Sequence, residues 1–323
     1  IQEARKTGLF CVHLHVNTAK TMEGHIERTI RVNGQLMDLS TPKVMGILNV
    51  TPDSFYAGSR VGSDAALRAS EMLDAGADIL DIGAYSSRPG AEDISADMEY
   101  ERLAPALDAI RRRHPEAVVS VDTFRADVAR RVVSDFGVDI INDIGGGTLD
   151  PGMRDTVAEL RTPYILMHMR GTPATMQQMC DYNDVVADVL SDIAFKVDDF
   201  RQAGVHDIIV DPGFGFAKTV EQNYALLGAL NLFHETGCPV LAGMSRKSML
   251  FRPLGITPDQ AGDATVAVHT MALMLGADII RVHDVLPAVQ SVRVFRMLRE
   301  ANGGVTPSSR TGYPDITRIT RQR

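Results

Sequence analysis

Cysteine is scarce in this sequence. Its three cysteines, Cys11, Cys180 and Cys238, are an odd number, lie far apart and form no Cys-x-x-Cys pair. This arrangement argues against a disulfide framework and against a zinc site. It is typical of a protein from a reducing compartment, so we expect a cytoplasmic location.

Long apolar runs and an excess of positive charge are also missing. No run approaches the roughly 20 apolar residues that span a bilayer, so we expect no membrane partner. Lysine and arginine total 33 against 41 aspartates and glutamates, for a net charge of −8. Because no basic stripe is present to neutralise phosphates, we expect no nucleic-acid partner either. The remaining composition is ordinary for a globular enzyme.

Short runs rich in valine and isoleucine alternate with longer stretches of helical periodicity, as in βα units that close a parallel sheet. Eight strands are predicted, at residues 44–50, 77–84, 117–122, 140–144, 164–169, 207–211, 240–244 and 277–282. Helices are predicted at 64–75, 96–112, 125–136, 183–203 and 260–275, and several end in a glycine-led step into the next strand. Eight units favour an α/β fold of the (β/α)8 TIM-barrel type, although a doubly wound open sheet stays possible.

The segment before the first of these strands alternates around Asn33-Gly34, a strong signal for a β-hairpin. We expect this N-terminal hairpin to close the barrel floor. The predicted barrel covers residues 26–302. Residues 1–25 are predicted to be an extension that is not native or is disordered, and the polar residues 303–323 are predicted to be a flexible tail.

Polar residues end nearly every predicted strand, at the side where barrel enzymes place their active sites. They are Asn49, Asp122, Asn142, Asp211, Lys247, Arg281 and His283. Taken singly, each has an ordinary explanation, such as a helix N-cap or turn former for the acidic and amide residues, a solvated lysine, or a core histidine. Together they favour a shared site, because seven independent coincidences would otherwise be needed.

The chemistry that these residues share is specific. Two aspartates and an asparagine facing one cavity suit the amino, imino and lactam edge of a fused heterocycle such as a pterin. Lys247 adds a donor for a ring carbonyl or nitrogen. Asn49, Arg281 and His283 come from adjacent strands, the first and the eighth, and their donors suit a phosphate or diphosphate.

The motifs around these residues resemble those of the dihydropteroate synthases. They are Val44-Met-Gly-Ile-Leu-Asn-Val-Thr-Pro-Asp-Ser-Phe55, Ser86-Ser-Arg-Pro-Gly90, Ser120-Val-Asp-Thr-Phe-Arg125, Ile141-Asn-Asp-Ile144, Asp211-Pro-Gly-Phe-Gly-Phe216, Ser245-Arg-Lys-Ser248 and Arg281-Val-His283. The resemblance extends over nearly the whole predicted barrel, in the order and spacing of the family. It implies a transferase of folate biosynthesis that condenses (7,8-dihydropterin-6-yl)methyl diphosphate with p-aminobenzoate to give 7,8-dihydropteroate and diphosphate, and that sulfonamides inhibit.

The resemblance also implies roles for the matching residues. The pterin ring would be bound by Asp122, Asn142, Asp211 and Lys247, and the diphosphate by Asn49, Ser87, Arg281 and His283, with Asn49 also a ligand of Mg²⁺. The p-aminobenzoate site would be lined by Phe55, Pro89, Phe216 and Ser248. Asp53 and Arg88 would order the two closing loops, and the catalytic set comprises Asn49, Asp53, Phe55, Arg88, Lys247, Arg281 and His283.

The sequence contains no recognisable Ser-His-Asp set, Cys-His pair or carboxylate pair placed for acid–base work, so we do not expect nucleophilic catalysis by the protein. A Schiff base on Lys247 is the covalent alternative. The resemblance instead implies an SN1-like transfer assisted by Mg²⁺. Diphosphate would leave first, and the arylamine would then attack a methylene cation delocalised into the pterin.

Two features depart from the family pattern. Tyr85 stands where the family commonly has glutamate, and Tyr56-Ala-Gly-Ser-Arg60 replaces a shorter acidic, glycine-rich turn. Two alternative functions therefore stay open, a non-catalytic pterin- or folate-binding barrel and a methyltetrahydrofolate-corrinoid methyltransferase. The methyltransferase would have no use for the predicted diphosphate residues. The family resemblance also implies a homodimer, formed through helices late in the chain.

Overall fold

The computed structural model describes residues 28–51, 61–86 and 93–304. Two strands, β1 (Thr29–Val32) and β2 (Gln35–Asp38), form an antiparallel hairpin. Eight parallel strands follow: β3 (Lys43–Asn49), β4 (Ile79–Gly83), β5 (Val118–Asp122), β6 (Ile140–Asp143), β7 (Tyr164–Met167), β8 (Ile208–Asp211), β9 (Leu241–Ala242) and β10 (Ile279–Val282). All eight predicted strands are confirmed.

The eight strands are hydrogen-bonded in the order β8-β7-β6-β5-β4-β3-β10-β9. The two outer strands also meet. Val210 of β8 pairs in parallel with Val240, just before β9, and the Val210 amide donates to the Pro239 carbonyl at 2.9 Å. A sheet whose edges meet is a barrel, so the barrel prediction is confirmed and the open sheet is excluded.

Helices follow the barrel strands and form an outer layer. Those in the described ranges are α1 (Val61–Asp74), α2 (Ala96–Arg113), α3 (Ala126–Phe136), α4 (Met153–Leu160), α5 (Val185–Gln202), α6 (Val220–Gly228), α7 (Ser248–Leu254), α8 (Gly262–Met274) and α9 (Val285–Ala301). The five helices predicted by residue range are present. One helix was expected after each strand, but no ranges were predicted for α4, α6, α7 and α9. Three of these four have nine residues or fewer, too few to establish a helical period, and α7 also contains Pro253.

Two of the predicted helices begin later than expected. The helix predicted at 183–203 begins at Val185, because the Asp184 side chain accepts hydrogen bonds from the amides of Val186 and Ala187. The helix predicted at 260–275 is divided. Residues Pro258–Gln260 form a separate 3-10 turn, and α8 begins only at Gly262.

The hairpin closes the N-terminal end of the barrel, as predicted. Asn33 and Gly34 both have positive φ, 49° and 74°, which a type I′ turn requires. Ile30, Val32 and Leu39 pack against inward side chains near the start of the barrel strands: Met45, Ile79, Ile140, Ile165, Ile209, Leu241 and Ile279. This apolar plug leaves the C-terminal end of the barrel for a polar site.

A second, larger apolar layer lies between the barrel and its helices. None of the helices in the described parts of the chain combines the length and the apolar character needed to cross a membrane. The predicted extension, residues 1–25, and residues 305–323 of the predicted tail lie outside the described residues.

Candidate active site

Arg281 is the centre of a charged cluster at the carboxyl ends of the strands. From β10, its Nε donates to Oδ2 of Asp81 at 2.6 Å, and its Nη2 donates to Oδ2 of Asp122 at 2.8 Å. Asn142 joins them, because its Nδ2 donates to the same oxygen of Asp81 at 3.1 Å. We call these four residues the Arg281 cluster. It links β4, β5, β6 and β10 across the barrel mouth.

This cluster contains a contact that the grouping made from the sequence did not include. Arg281 was grouped with Asn49 and His283 as an anion-binding residue, separate from the residues predicted to bind the ring. In the structure its guanidinium reaches past β3 and is bonded to Asp122, one of the predicted ring residues. The length of the arginine side chain makes this contact possible between strands that are not adjacent.

Asp81 is the member of the cluster that sequence analysis missed. It lies inside β4, in the apolar run Ile79-Leu-Asp-Ile-Gly83, and is fully buried. Its Oδ2 accepts the two bonds described above, whereas its Oδ1 has no hydrogen-bond partner among the described residues. An aspartate within an apolar strand is costly to bury unless it is paired, and this signal could have identified it.

Two carboxyl groups of the site, those of Asp122 and Asp211, have raised pKa values. Burial raises the pKa of Asp122 to about 7, although the charge of Arg281 lowers it, and the neighbouring Asp81 adds to the increase. Burial also raises the pKa of Asp211, with Lys247 acting against it. A carboxyl that exchanges its proton near neutral pH can either accept or donate a hydrogen bond, which suits a heterocycle edge with both kinds of group.

Lys247 and Asp211 lie on the side of the barrel mouth that faces the Arg281 cluster. The Nζ of Lys247 donates to the Phe214 carbonyl at 2.6 Å and lies 4.7 Å from the centre of the Phe216 ring. Gly243, just after β9, lies between the two: a Cβ added there would be 3.7 Å from Oδ2 of Asp211 and 3.8 Å from Nζ of Lys247. Burial lowers the pKa of Lys247 to about 8, and the charge of Asp211 opposes this effect.

His283 follows β10 and is bonded to the segment 245–248. Its backbone amide donates to Oγ of Ser245 at 3.1 Å, and its Nδ1 lies 3.0 Å from the same oxygen. Arg246 forms a bidentate ion pair with Asp284 at 2.9 and 3.0 Å, which joins the same two segments. Desolvation lowers the pKa of His283 to about 4, and the positive charge of Arg281 lowers it further. The His283 ring is therefore neutral at pH 7.

The other predicted residues fall in three places. Asn49 ends β3 at the mouth, in register with Gly83 and exposed, and Ser248 begins α7. Five predicted residues, Asp53, Phe55, Ser87, Arg88 and Pro89, lie outside the described residues. Within the described ranges no group of three histidine, cysteine, aspartate or glutamate side chains could hold a metal ion.

Tyr85, where the sequence departs from the family pattern, takes part in an aromatic and cationic cluster. Its ring is edge-on to Phe124, with centroids 5.0 Å apart, and the guanidinium of Arg125 lies 5.2 Å from its centre. Arg125 is also ion-paired with the buried Glu99. The tyrosine is thus accommodated by packing and a cation–π contact.

Comparison with known proteins gives one consistent result. Residues 45–283 match the family model described as pterin binding enzyme. The dihydropteroate synthase of Escherichia coli (strain K12) is 44% identical over 265 residues, covering 81% of this chain and 93% of that protein. The dihydropteroate synthase of Bacillus subtilis (strain 168) is 41% identical over 264 residues, covering 80% and 90%.

Solved structures agree with these relatives. The Yersinia pestis dihydropteroate synthase, solved as a sulfonamide drug complex, superposes with a TM-score of 0.79 at 39% identity, covering 84% of this chain and all of that one. The Xanthomonas albilineans enzyme, solved with 4-aminobenzoic acid, gives a TM-score of 0.78 at 36% identity, covering 84% and 98%. The similarity therefore extends over the entire barrel.

Proposed function

The chain belongs to the dihydropteroate synthase family of pterin-binding enzymes, and we propose that the Arg281 cluster and Lys247 form its pterin site. Its activity is that of a transferase in folate synthesis. The observation that best supports the proposed site is the Arg281 cluster itself. It gathers carboxylate, amide and guanidinium groups from four strands within hydrogen-bonding distance of one another, and such a set matches the donors and acceptors of a pterin edge.

We propose that the ring of (7,8-dihydropterin-6-yl)methyl diphosphate is bound by Asp122, Asn142, Asp211 and Lys247. The contact between Asp122 and Arg281 gives the arginine a second role beside diphosphate binding, because it orients the carboxylate that receives the ring. Asp81 would be a positioning residue in this arrangement. It is buried beneath the arginine and bonded to both Arg281 and Asn142.

The diphosphate is proposed to lie towards Asn49, Ser87, Arg281 and His283. The exposed position of Asn49 at the end of β3 supports this, because the leaving group must depart through the mouth. His283, neutral at pH 7, would donate a hydrogen bond to a phosphate oxygen without carrying a positive charge. Among the described residues assigned to the diphosphate, Arg281 carries the positive charge.

The p-aminobenzoate is proposed to lie against Phe216 and Ser248, with Phe55 and Pro89 closing over it. The aromatic ring of Phe216 lies beside Lys247, which supports this location because the amine must approach the methylene carbon of the bound pterin. Sulfonamides are expected to compete for the same position. The remaining predicted loop residues, Asp53 and Arg88, are proposed to order the loops that exclude water.

A single Mg²⁺ ion fits the proposed diphosphate site. Magnesium prefers oxygen ligands and is commonly held by few protein groups together with substrate phosphates. The amide oxygen of Asn49, exposed at the end of β3, is such a ligand. When bound, the ion would neutralise charge that develops on the diphosphate.

The proposed reaction is a dissociative substitution. The bond between the methylene carbon and the diphosphate oxygen breaks first, and the cation is delocalised into the dihydropterin ring. The amine nitrogen of p-aminobenzoate then donates its electron pair to the methylene carbon and loses a proton. The protein binds and orients both partners and stabilises the departing charge through Arg281 and His283, which requires no protein nucleophile.

Activity and its dependence on Mg²⁺ can be tested together. We expect purified protein to convert the dihydropterin diphosphate and p-aminobenzoate into equal amounts of dihydropteroate and diphosphate, and to stop when EDTA is added. Excess Mg²⁺ should restore the rate, whereas Ca²⁺, which tolerates irregular coordination, should restore it poorly. Pterin binding without product would instead indicate a non-catalytic barrel. Methyl transfer from methyltetrahydrofolate to a corrinoid would indicate the methyltransferase.

We also propose that the chain forms a homodimer through α8 and α9, the late helices. These helices expose Met271, Leu286, Val294 and Met297, an unusual number of large apolar side chains for neighbouring surface helices. Light scattering should give the mass of a dimer for the wild type and of a monomer for Val294→Glu. Phe195→Glu, at an even more exposed position on α5, should remain dimeric. A dimeric Val294→Glu protein would place the interface elsewhere.

A cytoplasmic location is proposed from the cysteines. Cys180 and Cys238, the two that fall in the described residues, are both free thiols. Free thiols of this kind are typical of proteins from reducing compartments.

A further inference from the structure

Lys218 is a buried lysine, 4% exposed, that the proposed site does not use. Its Nζ lies near four acceptors: the carbonyls of Phe216 (2.9 Å), Gly213 (3.0 Å) and His168 (3.4 Å), and Nδ1 of His168 (3.0 Å). Burial lowers the pKa of His168 to about 2, so its ring is neutral and can accept a hydrogen bond. All four acceptors are therefore neutral. This is uncommon, because a buried lysine is usually paired with a carboxylate.

Through these contacts, Lys218 links two residues of the loop 212–217 to each other and links the loop to the end of β7. Gly213 and Phe216 belong to the loop, and His168 directly follows β7. The loop backbone is crowded, since a Cβ at Gly213 would lie 2.0 Å from the His168 carbonyl. Ala217 has a φ of 50°, in the left-handed region that disfavours residues with a Cβ. Such a conformation needs fixed contacts to persist, and the Lys218 amino group provides them.

The loop carries two groups that contact Lys247. The Phe214 carbonyl accepts a hydrogen bond from its Nζ, and the Phe216 ring lies beneath the same atom. Asp211 lies at the end of β8, where the pairing of β8 with β7 holds its backbone, and its Oδ1 also accepts a hydrogen bond from the Gly213 amide at 2.7 Å. Phe216 lies outside the strands, two residues from Lys218, and its carbonyl is bonded directly to Lys218, so loss of Lys218 should displace Phe216 more than the carboxylate proposed to bind the pterin.

We infer that Lys218 is a positioning residue for the aminobenzoate half of the site, where it holds the loop 212–217 against β7 so that Phe216 faces Lys247. The inference rests on the proposed function, which assigns Phe216 to p-aminobenzoate. Lys218 itself is enclosed by the loop carbonyls and β7, so it acts through the loop and not by touching a substrate.

The test is steady-state kinetics of full-length Lys218→Met with each substrate varied in turn. We expect the KM for p-aminobenzoate to increase by about tenfold, the effect of losing a hydrogen bond that holds the loop, while the KM for the dihydropterin diphosphate increases less. Lys218→Gln, which keeps a donor, should recover part of the loss. The matched control is Lys196→Met, since Lys196 is also largely buried but is paired with Asp192 on α5, at 2.7 Å. It should leave both KM values unchanged.

The outcomes separate the inference from the proposed function. A folded Lys218→Met protein with an unchanged KM for p-aminobenzoate, or with equal increases in both KM values, would overturn the positioning role alone. If Lys218→Met does not fold, the ratio of the two KM values in Lys218→Gln decides in the same way. A wild-type protein that forms no dihydropteroate would overturn the proposed function and the inference with it.

Discussion

Replacing Arg281 with methionine is expected to lower kcat/KM by about 100- to 1,000-fold, the effect typical of removing a donor to a developing anion. The substitution also leaves Asp81 and Asp122 without the guanidinium that bonds both of them. Breaking a buried ion pair from one side commonly costs about 3–5 kcal/mol. We therefore expect a lower melting temperature in addition to the loss of activity.

The stability of the Arg281→Met protein should depend on pH in a defined direction. The pKa of Asp122 is already raised to about 7 by burial, and loss of the nearby positive charge should raise it further. A carboxyl whose pKa is higher in the folded than in the unfolded chain takes up protons on folding, so the free energy of unfolding decreases as the pH rises towards the folded pKa. Lowering the pH from about 8 to about 6 should therefore raise the melting temperature of the variant more than that of the wild type.

The matched control for Arg281 is Arg111→Met. The two arginine side chains are similarly enclosed, 18% and 17% exposed, and Arg111 is bonded to the buried Asp139 at 2.6 Å. Its partners precede β5 and β6, at the opposite end of the barrel from the proposed site. Arg111→Met should lose stability but keep its kcat/KM per folded molecule. A parallel loss of activity in both variants would mean that Arg281 affects turnover only through folding.

The second large effect is expected for Lys247. Lys247→Met should weaken the binding of a 7,8-dihydropterin without diphosphate by about tenfold to a hundredfold, because a charged hydrogen-bond donor to the ring is lost. Folding should not suffer. Burial lowers the pKa of Lys247 to about 8, so its ammonium is less stable in the folded than in the unfolded chain, and methionine removes that penalty while keeping the apolar stem.

Calorimetric titration with the dihydropterin measures the effect directly, and a thermal melt checks the fold. Lys43→Met is the control, because Lys43 begins β3 at the hairpin end of the barrel and is paired with Asp78 at 3.8 Å. Its affinity for the dihydropterin should equal that of the wild type. Undiminished binding by Lys247→Met would remove Lys247 from the ring site and leave its bond to the Phe214 carbonyl as a structural contact.

The fold, and the end of the barrel that carries the proposed site, could be predicted from the sequence. The alternation of apolar strands and helices is a local property, and so is the Asn33-Gly34 turn, whose two positive φ angles the residue types themselves favour. Polar residues at strand ends must gather at one rim once parallel strands close. These features depend on residues that are neighbours in the chain, which is why the sequence by itself determined them.

Only the tertiary structure decided which of these side chains meet. Asp81 and Arg281 are 200 residues apart, and their contact depends on β3 lying between β4 and β10. The partners of Lys218 and Lys247 include backbone carbonyls, which every residue carries and which no sequence pattern distinguishes. Strand order, register and loop conformation determine these long-range contacts. The Arg281 cluster and the Lys218 contacts therefore could not be predicted from the sequence and required the tertiary structure.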